Sequence, residues 1–211
     1  MDADSFADAV KAAKATELDR LGSQQSLVAL TDADLDAEAV LRAAALSEAT
    51  ARETFAAWAE TESDDAAREA FADLADREAD HYERVVAELD GGEGTAVADD
   101  PIDPMHERLR DLDATVERAA GLVARSLVAD RTLLQVVNFF VNEADRDRAD
   151  LFRELREDTA EAVATGAELL ARHSEDDRER ARETAEAVVQ VAYDDYAETL
   201  DGMGLDPKPI C

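Results

Sequence analysis

A chain of 211 residues with 52 acidic and 22 basic side chains carries a formal net charge of −30, which argues against nucleic acid and anionic membranes as partners. With eight Gly, four Pro, abundant Ala and no sustained apolar alternation, the chain is expected to be all-α, a single domain over 1–211 with an ample core. The one Cys, Cys211, excludes an intrachain disulfide and a four-Cys metal knot, and no apolar run approaches the roughly eighteen residues of a membrane span.

Residues from about 4 to 21 read as an amphipathic helix with Phe6, Val10, Ala13 and Leu18 inward, stopped at Gly22. Residues 23 to 31 read as a short connection. Thr31 or Asp32 can cap the next helix, which runs to about Glu60. After the polar cluster Glu62-Ser63-Asp64-Asp65, its partner runs from about Asp65 to Leu89. The Gly- and Pro-bearing segment 90–104 suits a crossover along a bundle. A third bundle helix is expected from about Met105 to Val128. A fourth, capped by Asp130, is expected through the run Leu133 to Val141 and on to about 157. Two further helices, about 158–172 and 175–200, follow, the second capped at Ser174, before an irregular tail.

Of the basic residues only Lys11, Lys14 and Lys208 are Lys. This acidic, Ala-rich, Arg-over-Lys composition resembles that of cytosolic proteins of extreme halophiles, where salt screens self-repulsion. The start, Met1-Asp2-Ala3-Asp4, has no basic signal-peptide region, so a cytoplasmic location is expected.

Two apolar seams are each interrupted by acid. In the first bundle helix, Leu41, Ala44, Glu48, Ala51, Phe55 and Trp58 follow in steps of three and four. In the second, Phe71, Leu74, Glu78, His81, Val85 and Leu89 do the same, with Glu78 and His81 forming Glu-x-x-His. A buried carboxylate needs a proton, a cation or a metal. Folded as an antiparallel hairpin, Glu48 comes level with Glu78, and the two helices offer Glu, Glu and His, half of a di-metal carboxylate site. Glu-x-x-His alone is a weak signal in so acidic a chain; an ordinary core His81 and solvated Glu48 and Glu78 are the plain alternative. Without metal, Arg52 or Arg77 can neutralise these carboxylates, and Glu78→Leu is then expected to be neutral or stabilising.

A gapless shift of 69 residues places Glu48 on Glu117, Glu78 on Asp147 and His81 on Asp150. An acidic residue thus recurs at each proposed ligand position. Glu143, one turn before Asp147, can substitute for it. His106 and His173 are expected at the surface.

With Glu48-Ala49-Thr50-Ala51-Arg52 on one helix and Ala75-Asp76-Arg77-Glu78-Ala79-Asp80-His81 on the next, the chain resembles the ferritin-like superfamily, rubrerythrin-like branch, over about residues 35 to 155. The resemblance implies a ferritin-like four-helix bundle, core about 32–157, with extra helices at both termini. It implies two Fe or Mn ions held by Glu48, Glu78, His81, Glu117, Asp147 and Asp150 and used on O2, peroxide or iron, as in a di-iron or di-manganese oxidoreductase of peroxidase or ferroxidase type. Asp150 stands where the family has its second His, which favours Mn over Fe. The rubredoxin-type Cys module is absent, so any electron donor is a separate protein. The rival reading is a non-catalytic ferritin-like scaffold with a degenerate site and an acidic interaction surface. A third is a homodimer that completes the intact half-site across a twofold axis.

Overall fold

The computed structural model describes residues 3–90 and 102–207, with side chains from Ser5 onward. All regular structure among them is helical. The order is α1 (Ala3–Ala13), α2 (Ala15–Leu21), α3 (Gln25–Leu30), α4 (Ala37–Thr61), α5 (Asp65–Val86), α6 (Pro104–Arg110), α7 (Thr115–Asn142), α8 (Arg146–Ala171) and α9 (Glu175–Gly202). No described helix is long and apolar enough to cross a membrane.

Side-chain caps start three of the four hairpin helices; α7 follows Ala114 without one. Asp36 accepts from Ala39 N at 2.8 Å and starts α4 several residues later than Thr31 or Asp32 would. Asp64 starts α5 and Asp145 starts α8 in the same way. Each such cap satisfies one of the unpaired amides of a first turn, worth about 1 kcal/mol.

The helix expected over about 4–21 is split at Lys14 into α1 and α2, with Ala13 exposed rather than inward, and the second half of the chain departs further from expectation. The third helix breaks at 111–114 into α6 and α7, and α7 then runs unbroken through Asp130. Asp130 is no cap; its Oδ1 accepts from Arg156 Nε at 2.7 Å. The apolar run 133–141 is therefore the C-terminal half of α7, and the fourth long helix is α8, which absorbs the helix expected at 158–172. The connection at 23–31 holds α3. Ser174 caps α9 as expected, accepting from Asp177 N.

Four long helices pack around the centre. α4 pairs with α5, and α7 with α8. Between the pairs, Arg118 of α7 reaches Glu62 of α4, while Arg125 lies near Glu48, so these helices run antiparallel. Arg77, with Asp158 O, and Arg148, with Glu88, set α5 antiparallel to α8. α5 thus ends at the opposite end of the array from the start of α7. The crossover expected at 90–104 lies mostly outside the described residues. α9 covers α7, and α1 to α3 pack against α7, α8 and α9.

Two cores flank the midpoint. One holds Phe55, Trp58, Phe71 and the N-terminal half of α7; the Trp58 and Phe71 rings are 5.2 Å apart near the α4–α5 turn, as the seams predict. The other holds Val40, Leu41, Val85, Phe140 and Phe152. Gly166 allows α8 close to α7: a Cβ there would meet Ala119 O at 2.9 Å and Val123 Cγ2 at 2.8 Å.

Candidate metal centre

Between the two cores lies a plane of ionisable groups. Glu48 comes from the middle of α4; Glu78 and His81 come from one face of α5, one turn apart. All three are at most 4% exposed. His81 Nδ1 is 3.7 Å from Glu48 Oε2 and 3.7 Å from Glu78 Oε2. One ligand atom from each residue lies within 4.8 Å of the others, and this is the group of metal-ligand type found among the described residues.

Two further residues complete the plane, and sequence reasoning missed both. Arg125 of α7 donates from Nη1 to Glu78 Oε1 at 2.9 Å, and its Nη2 is 3.8 Å from Glu48 Oε2. Its guanidinium also stands over the Phe55 ring, 5.8 Å from the centroid. Arg125 sits inside the apolar run Gly121 to Val128, and an Arg in such a run was a readable sign of a buried partner. Asp158 of α8 holds His81 from the other side, its Oδ2 3.0 Å from Nε2. It lies in a stretch so charged that nothing marked it.

The electrostatics follow from this arrangement. Burial first, then the charge of Glu78, pushes the Glu48 carboxyl up to about 7 against the pull of His81 and Arg125. For Glu78 burial pulls the same way, but Arg125 above all, with Glu48 and His81, holds its carboxyl far below the usual range. Burial disfavours the His81 imidazolium, yet Glu48, Glu78 and Asp158 together raise it to about 10.

The residues fit one metal ion. Two carboxylates and an imidazole are the donor set of Fe, Mn or Zn sites. The Nε2 contact with Asp158 turns Nδ1 toward the carboxylates, the outer-shell arrangement that orients metal-binding His. Glu78 Oε2 is buried without a hydrogen-bond partner, which is costly unless something occupies its lone pairs. Bonds of about 2.1 Å would place ligand atoms at most about 4.2 Å apart, so only a small closure of the group is needed.

The expected second half of the site does not assemble. Asp147 and Asp150 are exposed on the first turns of α8, with Asp150 paired to Arg153. Glu117 is half-buried and 3.8 Å from Arg180. Glu143 is exposed. The reason is register. The two hairpins correspond with the cap Asp64 on the cap Asp145, not at a shift of 69, so the counterparts of Glu48, Glu78 and His81 are Ala129, Thr159 and Ala162. None of these is a usual ligand. Neither Arg52 nor Arg77 neutralises the carboxylates: Arg52 lies over the Tyr82 ring, and Arg77 donates to Asp158 O. His106 is also not at the surface; it is 2% exposed, its Nδ1 2.6 Å from Asp103 Oδ2.

Compared with known proteins, the chain matches no family model, no curated protein and no solved structure. The group Glu48, Glu78 and His81 therefore has to be read from its own chemistry. It can hold a metal ion.

Proposed function

We propose that this chain is a ferritin-like four-helix bundle of rubrerythrin type that holds one Fe or Mn ion at Glu48, Glu78 and His81, with Arg125 in the place of a second ion. The observation that carries this is the orientation of His81: Asp158 fixes Nε2, and Nδ1 is equidistant from two buried carboxylate oxygens. The charges agree. Glu48, Glu78 and Asp158 bring three negative charges, and a divalent ion with Arg125 cancels them when His81 is neutral. Within the four-helix array each helix runs antiparallel to its neighbours, and α5 ends at the opposite end from the start of α7, which supports the ferritin-like arrangement.

The ion would supply one-electron redox chemistry toward O2 or peroxide. The chain's part is to hold it with three protein ligands, leave positions open, and keep water out with the flanking cores. Arg125 also limits the site to a single ion, so a paired-ion reaction is not expected. Rapid mixing of Fe(II)-loaded protein with peroxide tests this. Peroxide should be consumed by wild type and not by His81→Ala, which should also fail to take up Fe(II). Equal rates for both would remove the redox role.

One observation favours a second reading. In the metal-free state, Arg125 and a protonated His81 already balance Glu78 and Asp158 once Glu48 holds a proton, as its rise to about 7 allows. The cluster would then be a buried ion network that fixes the register of a non-catalytic scaffold. Chelator separates the two readings: it should lower the melting temperature of the metal protein and leave the scaffold unchanged.

A further inference from the structure

A cavity of about 210 Å³ lies between α3, α4, α6, α7 and α9. Its walls are largely apolar, with Leu27, Val40, Ala44, Val128, Leu133 and Val136 among them. At about 30 Å³ per water, the space holds roughly seven waters, far more than O2 or peroxide needs. It suits an organic molecule of about ten non-hydrogen atoms.

The polar groups on the wall determine which one. Glu48 and Arg125 line one part, and Arg125 is already committed to Glu78. Asp103, His106 and Asp195 line another. Asp103 Oδ2 lies 2.6 Å from His106 Nδ1. Asp103 is therefore committed to His106. Asp195 has no hydrogen bond or ion pair among the described residues. Burial first, then Asp103 and Glu198, pushes its carboxyl up, as expected where negative charge lacks a counter-ion. Among the charged residues of the wall, Asp195 is thus the one left without a partner, and Glu48 and Asp103 on the same wall make an anion unwelcome.

We propose that this cavity binds a small organic amine, its ammonium directed to Asp195 and its apolar body lying among the leucines and valines of α3, α4 and α7. The site goes beyond the metal reading and does not depend on it, so it can be tested on metal-free full-length protein.

Calorimetric titration with 2-phenylethylamine, 2-phenylethanol and 3-phenylpropanoate supplies the test. These probes are of similar size and differ in charge. The amine should bind about tenfold or more tightly than the alcohol, as a charge-assisted hydrogen bond provides, and the acid should bind weakest. Asp195→Asn should remove the preference for amine over alcohol while alcohol binding persists. Ala129→Phe, which puts a ring into the cavity, should abolish binding of all three. Because it keeps the net charge of −30, any amine uptake left in it measures non-specific attraction. Equal affinities for the three probes, no amine binding, or an amine preference that survives Asp195→Asn would each overturn the proposal.

Discussion

Arg125 Nη1 lies 2.9 Å from Glu78 Oε1, with neither side chain more than 4% exposed. The pair joins α7 to α5 in the plane between the two cores. Removing one partner strands the other charge away from water, so Arg125→Leu should destabilise the metal-free protein by about 3–5 kcal/mol. The seam alone suggests that Glu78→Leu is neutral or stabilising. With Arg125 as its partner the expectation reverses, and Glu78→Leu should also destabilise. The double replacement should cost clearly less than the sum of the two, because it removes both charges together. Denaturant melts of the four proteins in chelator check this.

Stability and metal uptake should respond to pH in opposite directions. His81 is raised in the folded chain from 6.5 to about 10. Its contribution is complete below about 6.5 and is lost as pH rises through 10. Glu48 is raised from 4.5 to about 7, so its cost grows as pH climbs through that window. The folded metal-free protein binds more protons than the unfolded chain across both ranges, and these two groups lower its melting temperature from mildly acid to alkaline pH. An ion displaces the same protons, one from each group, so its affinity should rise with pH. The increase should be about a hundredfold per unit below 7 and about tenfold per unit from there to 10. Calorimetric Mn2+ titrations over pH 6 to 9, beside melts in chelator, measure both trends.

Asp158 touches no proposed ligand atom yet orients one. Its side chain is 39% exposed, so Asp158→Ala should leave the fold intact. It should lower metal affinity about ten- to a hundredfold by freeing the His81 ring. Asp158→Asn, which keeps an acceptor oxygen for the Nε2–H, should recover part of the loss. A titration of the two variants with Mn2+ decides the point.

The first half of the site was legible because a helix seam tolerates so few exceptions. Glu48 interrupts one, and Glu78 and His81 interrupt another; a hairpin turn at Glu62 to Asp64 forces them level. The second half misled because acidic residues are so common that a chance shift pairs acid with acid. The informative signals there were caps and buried cations: Asp145 as the start of α8, and Arg125 within an apolar run. Asp130 looked like a cap because Asp before an apolar run usually is one. Yet nothing between Val128 and Leu133 breaks a helix, and Arg156 gives Asp130 another partner. Asp158 becomes informative only once α8 is packed against α5.

The closeness of α7 and α8 gives a test of the packing apart from the site. A Cβ at Gly166 would stand 2.9 Å from the Ala119 carbonyl, a backbone atom that cannot turn aside. Gly166→Ala should therefore cost about 1–3 kcal/mol despite alanine's better helix propensity. A thermal melt beside wild type reads this directly. An unchanged or raised melting temperature would mean that the two helices separate more easily than their packing implies.

The measurement that bears most directly on the central claim is the elemental content of the full-length protein purified without chelator, read beside His81→Ala. The account predicts a single Fe or Mn ion per chain in wild type and none in the variant, with both folded. Two ions per chain would contradict Arg125 as the occupant of the second position. No ion in wild type, even after incubation with Fe(II) or Mn(II) above neutral pH, would contradict the metal centre itself and leave the buried ion network as the purpose of the cluster.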